Sequence, residues 1–212
     1  MLPPVSNPAS RVAAPLAIEK KFNPLNFAIE TLKRPSLTGA IAPSSSFVAR
    51  RVVELADISD SKTVVELGPG TGVFTTQILK SISPATDFFA LEVNEAFADA
   101  TRNRCPQARV YHDSATKLSH YLNVNSFGLC DCIITSLPWT IFNPHEQEQL
   151  LETISASLKP GGRFISIVYA GAKMRERGRY YINSLPLFFS TVHKTHTVWQ
   201  NLPPTRIYCC SK

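Results

Sequence analysis

Val64-Val65-Glu66-Leu67-Gly68-Pro69-Gly70-Thr71-Gly72 joins a β-strand to a helix. Thr63–Leu67 is apolar apart from Glu66 and its first residue, and reads as a strand. Glycines follow at 68, 70 and 72, and Gly72–Ile82 has helical spacing. Glycine permits a tight turn and close approach of a ligand to the backbone. The helix start adds unpaired N–H groups. A dinucleotide fingerprint spaces its glycines G-x-G-x-x-G and seats a pyrophosphate on the helix end. Here the spacing is G-x-G-x-G, and Glu66 precedes it. A carboxylate so close repels pyrophosphate and favours a ligand that carries an ammonium group.

Outward from this turn, strands and helices alternate. The pattern predicts strands at Asp87–Val93, Ala108–His112, Cys130–Thr135 and Arg163–Ala170, and helices at Glu95–Arg104 and Glu146–Leu158, the latter broken by Pro160-Gly161-Gly162. Repeated βα units predict an α/β fold with a mostly parallel sheet covered on both faces. Leu187–Trp199 and Thr205–Cys210 read as an antiparallel strand pair at the sheet edge. On the N-terminal side, residues 1–22 read as a loose tail. Asn23-Pro24 opens a short helix with Leu25, Ala28, Ile29 and Leu32 on one face, flanked by Lys20, Lys21, Lys33 and Arg34. A second helix is expected from Ser44-Ser45-Ser46 to about Ala56. The expected division is 1–59 as an N-terminal segment serving as membrane contact or lid, and 60–212 as the ligand-binding domain.

Composition bounds the function. The chain has 212 residues, 44% hydrophobic and 18% charged, which suits one globular domain and excludes wholesale disorder. No run approaches the ~18 apolar residues of a membrane-spanning helix. The five cysteines form no C-x-x-C pair and the five histidines show no metal spacing, so no metal site is expected. Charge is segregated. Residues 1–56 carry seven Lys/Arg against three Glu, residues 57–158 six against twelve Asp/Glu, and residues 159–212 nine against one Glu. An acidic centre suits a cationic small molecule, and basic ends suit an anionic surface such as phospholipid headgroups or nucleic acid.

Two further acids follow successive strands. Glu92 closes the second, where a carboxylate can accept both hydroxyls of a ribose. Asp113 follows the third, where it can accept from an exocyclic adenine amine. Each alone also reads as a strand-end or capping residue. With Glu66, they describe a ligand with an amino-acid end, a ribose and an adenine, the parts of S-adenosylmethionine. Over residues 60–170 the chain resembles the class I S-adenosylmethionine-dependent methyltransferases. The resemblance implies a Rossmann-like, seven-stranded sheet. It also implies cofactor binding by Gly68, Gly70, Gly72, Glu66, Glu92 and Asp113.

The fourth strand ends Thr135-Ser136-Leu137-Pro138-Trp139, on the strand edge where open α/β sheets bind ligands. The segment resembles the N/D/S-P-P-Y/F/W-type loop of amine methyltransferases. Ser136 and nearby carbonyls are expected to orient an amine, and Trp139 to cover a developing cation. A proline turn carrying a core tryptophan is the alternative. Ile41–Ser46, Ser136–Phe142 and Trp199–Pro204 extend the resemblance, over residues 25–210, to the bacterial phospholipid N-methyltransferases. That family implies methylation of phosphatidylethanolamine by a cytoplasmic enzyme held peripherally on the inner membrane face, with the lipid headgroup and an anionic membrane surface as partners. The rRNA adenine dimethylases are relatives with N-L-P-Y at this loop, where this chain has Ser136 and Trp139. An RNA acceptor, a small-molecule acceptor and an inactive partner subunit remain alternatives.

Overall fold

The computed structural model describes residues 45–212. The expected helix at Leu25–Leu32 and the tail before it lie outside the described residues. Strand β1 (Thr63–Leu67) leads through the glycine turn into α2 (Val73–Ser81), then β2 (Asp87–Glu92), α3 (Glu95–Arg104) and β3 (Arg109–His112). A 3-10 turn and α4 (Leu118–Val124) precede β4 (Cys130–Thr135), followed by α5 (Pro144–Ser157) and β5 (Leu158–Tyr169). A second 3-10 turn and α6 (Glu176–Phe188) lead to β6 (Thr191–Lys194) and β7 (Thr205–Ser211), and α1 (Ser46–Ala56) precedes them all. The seven strands form one sheet in the order β3-β2-β1-β4-β5-β7-β6. β1 to β5 run parallel, and β7 is antiparallel to both β5 and β6.

The central parallel strands β1 and β4 are buried along nearly their whole length because helices cover both faces. Val65, Leu67, Phe89, Leu91 and Ile133 pack with Leu118 of α4, Leu151 of α5 and Tyr181 of α6. The alternate residues Val64, Phe88, Ala90, Ile134 and Ile165 pack with Val48 and Val52 of α1 and with Phe74 and Ile78 of α2. Helix α1, grouped with the N-terminal segment in the sequence reading, thus shares the core of the sheet. Its start is fixed by Ser45, whose hydroxyl accepts from the Val48 N–H. Asn143 and Glu146 form a reciprocal capping box on α5, with Pro144 in the first turn.

Four elements depart from the sequence expectation, one of them the short α4 (Leu118–Val124), where no helix is read from the sequence. Helix α6 was not expected. Its inward face is Gly178, Tyr181, Ser184 and Leu185, too few large apolar residues to stand out in a basic stretch. Gly178 is required there, since a Cβ would lie 2.1 Å from the Ala172 carbonyl oxygen. β5 begins at Leu158 rather than Arg163, passing Pro160-Gly161-Gly162 through a register shift against β4. β6 is confined to Thr191–Lys194, because Leu187 and Phe188 finish α6 and the chain after Lys194 loops out, rejoining β7 by one bridge, Val198 to Thr205.

Candidate functional site

The strand order reverses between β1 and β4, and open α/β sheets bind ligands in the crevice beyond the carboxyl ends at such a point. Thr135, Leu67, Leu91 and Tyr111 lie in one row across β4, β1, β2 and β3, so the segments that follow them meet at one edge. Gly68, Ser136 and Asp113 leave the sheet there, and Glu92 is the last residue of β2.

Gly68, Gly70 and Gly72 have φ of 76°, 59° and 79°, in the left-handed region that disfavours side chains. The turn is also tight on two sides. A Cβ on Gly68 would lie 3.0 Å from Leu137 Cδ2, and one on Gly72 would lie 3.3 Å from Thr101. At Gly70 a Cβ would meet nothing within 4 Å. The turn is therefore closed against the protein and open at its tip, as a backbone cradle for a ligand must be.

Glu92 is 7% exposed. One carboxylate oxygen accepts from the Gly70 N–H and the other from the Asn94 N–H, both at 3.0 Å. Burial pushes its pKa up, and the amides of Asn94 and Gly70 work against that rise. The carboxylate is thus locked at the tip of β2, beside the turn, with lone pairs left for a diol. Thr101 donates to the Gly70 carbonyl at 2.8 Å, holding the turn from α3. Asp113 is half-buried. It accepts from its neighbour Ser114 N–H at 2.7 Å and from the Tyr121 hydroxyl at 3.1 Å. Tyr121 stacks on Tyr111 with centroids 4.1 Å apart. Neither Thr101 nor Tyr121 carries a motif; each is found only by tracing which side chain reaches the turn or the acid.

Two expected site residues sit elsewhere. Glu66 is fully buried beneath the turn, on the side of β1 that faces α2, where Thr75 donates to it at 2.6 Å. Its other oxygen has no partner among the described residues, and burial raises its pKa to about 8. Burial favours its protonated form, and the partner it has among the described residues is Thr75 of α2. Trp139 is 2% exposed and stacked on Tyr181 at 4.1 Å, with Phe142 and Phe164 edge-on. The indole belongs to the core, so it does not cover a cation in the crevice.

The remainder of that segment is at the edge. Ser136, Leu137 and Pro138 are half-buried. Ser136 Oγ donates to the Gly68 carbonyl at 2.6 Å, and its N–H donates to the Leu67 carbonyl at 3.3 Å. Gln147, fully buried on α5, holds the loop behind it. Its amide nitrogen donates to the carbonyls of Trp139 at 2.6 Å and of Phe142 and Arg177 at 3.1 Å.

The residues fit S-adenosylmethionine. An open glycine tip, a fixed carboxylate after β2 and an accepting carboxylate after β3 match its carboxyl-amine end, ribose and adenine. Removing the Glu92 carboxylate frees two backbone amides as well as a ribose acceptor. Glu92→Ala is therefore expected to weaken cofactor binding by about ten- to a hundredfold, measured by calorimetry. Glu92→Gln should not restore it, because the amide NH2 would face the N–H of Gly70 or Asn94.

Comparison with known proteins agrees with this geometry. A methyltransferase domain matches residues 64–162. The chain is 25% identical over 181 residues to the ornithine lipid N-methyltransferase of Singulisphaera acidiphila, covering 84% of this chain and 90% of that one. It is 27% identical over 146 residues to ribosomal RNA small subunit methyltransferase A of Dehalococcoides mccartyi. That match covers 68% of this chain and 47% of the relative, so the chain spans about half that protein's length. Among solved structures, an O-methyltransferase from Bacillus cereus in complex with S-adenosylhomocysteine superposes with a TM-score of 0.63 at 14% identity, over 92% of this chain and 94% of that one. The seven-stranded sheet, the glycine turn with its two edge carboxylates and these likenesses agree: the chain carries a methyltransferase domain similar to the class I S-adenosylmethionine-dependent methyltransferases, with rRNA methylases among its relatives.

Proposed function

We propose that the protein transfers methyl groups to the primary amine of phosphatidylethanolamine and to its partly methylated forms, working from the inner face of a membrane. The observation that carries this reading is the state of Ser136. Its hydroxyl proton is committed to the Gly68 carbonyl at 2.6 Å, so toward a substrate the oxygen acts as an acceptor. An acceptor there suits an amine, which offers N–H groups. The near full-length match to an ornithine lipid N-methyltransferase supports a lipid amine over the base of an RNA. The serine, standing where the rRNA adenine dimethylases have asparagine, points the same way.

The tip of the glycine turn, Glu92 and Asp113 would hold the cofactor by its backbone-facing end, its ribose and its adenine. S-adenosylmethionine, when bound, supplies an electrophilic methyl group on a positively charged sulfur. The chain's own residues have two tasks. The half-buried edge formed by Ser136, Leu137 and Pro138 disfavours an ammonium ion, so it lowers the amine's pKa and promotes loss of the proton that blocks attack. Ser136 Oγ then accepts an N–H and aims the nitrogen lone pair. Gln147 keeps that turn from shifting by fixing the backbone just beyond it. Positioning of this kind is a large part of the rate in a displacement between two bound partners.

Ser136→Ala should lower kcat about tenfold, the worth of one orienting hydrogen bond, and leave cofactor affinity within about threefold. The experiment supplies labelled cofactor with detergent-dispersed phosphatidylethanolamine and, in parallel, with undermethylated small ribosomal subunits. Label in the lipid supports the reading. Label in RNA alone replaces it with base methylation, and label in neither directs attention to a small-molecule acceptor.

A further inference from the structure

The loop from Thr195 to Pro204, between β6 and β7, lies at the same sheet edge as the crevice. Lys194, Tyr208, Ser166 and Thr135 form one row across β6, β7, β5 and β4, so the loop emerges beside the segment that begins at Ser136. Three strand spacings separate the two, roughly 14 Å. The first turn of α1 belongs to this edge as well, since the Ser45 N–H donates to Asn201 Oδ1 at 2.8 Å.

A groove of about 320 Å³ lies between them, lined by Phe47, Arg51, Lys194, His196 and Gln200 among others. Its surroundings are basic. Lys173, just after β5, sits close enough to Lys194 and Arg206 for their charges to hold its pKa below the usual lysine range. Among the described residues, Arg51 is paired with Glu54 at 3.0 Å, and none of Lys173, Lys194 and Arg206 meets a carboxylate in an ion pair. Large apolar side chains stand out beside these cations. Trp199 is 75% exposed, Leu202 76% and Met174 86%.

We propose that this edge docks on an anionic phospholipid surface: Trp199 and Leu202 enter the headgroup region while Lys173, Lys194 and Arg206 meet lipid phosphates. The inference rests on the lipid reading of the crevice and names the surface that delivers the substrate to it. Cations beside a tryptophan and a leucine are the pairing that interfacial segments use. Leu202 and Met174 have no ring face for a base, so the composition favours a bilayer over RNA. The span to Ser136 exceeds one ethanolamine headgroup, so the groove binds the phosphates of neighbouring lipids while a substrate amine reaches the crevice.

The test uses the full chain without cofactor. It is sedimented with vesicles of phosphatidylcholine alone and with vesicles of phosphatidylcholine and phosphatidylglycerol in equal parts. Binding is expected with the anionic vesicles and should fall with added salt. Lys173→Ala with Lys194→Ala, and separately Trp199→Ser with Leu202→Ser, should each weaken it by about tenfold or more. Lys62→Ala with Lys80→Ala, exposed at the opposite edge, should leave it unchanged. Both weakened variants should keep wild-type circular dichroism and wild-type methylation of detergent-dispersed lipid, which separates docking from catalysis. Absence of vesicle binding by the wild type would overturn the proposal, as would binding insensitive to both variant pairs. Variants that lose affinity for a structured RNA while keeping vesicle binding would overturn it too. If docking holds while no dispersed lipid is methylated, the fault lies with the acceptor assignment and not with this surface.

Discussion

Gly70→Arg abolishes S-adenosylmethionine binding, with affinity falling by more than about a hundredfold, while the protein remains folded. The two halves of this expectation have separate causes. A Cβ at position 70 meets nothing within 4 Å, so a side chain can start from the turn without displacing the protein around it. Its φ of 59° costs an arginine about 1–2 kcal/mol, which lowers the melting temperature by only a few degrees in a chain of this length. The same open space is where the ligand must approach the turn. An arginine there fills it, brings a cation toward the sulfonium's site and offers Glu92 a competing partner. Calorimetric titration and a thermal melt on one sample read both halves. Unchanged affinity in a folded variant would place the cofactor elsewhere on the molecule.

Glu66→Gln should stabilise the protein strongly at alkaline pH and remove much of its pH dependence. The buried carboxyl has a pKa of about 8, raised first by desolvation and further by the nearby Glu92 charge, with the Thr75 hydrogen bond opposing the rise. A raised pKa means that the native state keeps a proton which the unfolded chain has already released. Stability contributed by that proton is complete below the ordinary carboxyl pKa and is lost as pH climbs through about 8. The loss over this window is on the order of 5 kcal/mol. Glutamine still accepts from Thr75 and cannot ionise. The melting temperature of the variant should match wild type near pH 5 and exceed it increasingly toward pH 8. Cofactor affinity should stay within about threefold, since the side chain faces α2. A wild-type slope in the variant would show that another group governs the pH dependence.

The sequence was most legible where backbone geometry constrains residue type. Positive φ at 68, 70 and 72 demands glycine, and the acids after β2 and β3 stand where a parallel sheet must present them. The direction of Glu66 was readable too. Strand alternation puts it on the side of Val64, and that side is covered by α1 and α2. Trp139 was harder. Whether an aromatic after β4 points outward or inward depends on α6, which supplies Tyr181 as its stacking partner, and α6 has little apolar periodicity. The support of the crevice by Thr101, Tyr121 and Gln147 follows from long-range contacts that no local spacing encodes.

The most direct test of lipid methylation is mass spectrometry of total lipids from a host that makes phosphatidylethanolamine but not its methylated forms. The host would express either the wild-type protein or Gly70→Arg at equal level. Wild type is expected to produce monomethyl- and dimethyl-phosphatidylethanolamine, or phosphatidylcholine, and the variant none. Lipid profiles that are identical in the two strains, with the wild-type protein folded and binding S-adenosylmethionine, would contradict the lipid assignment.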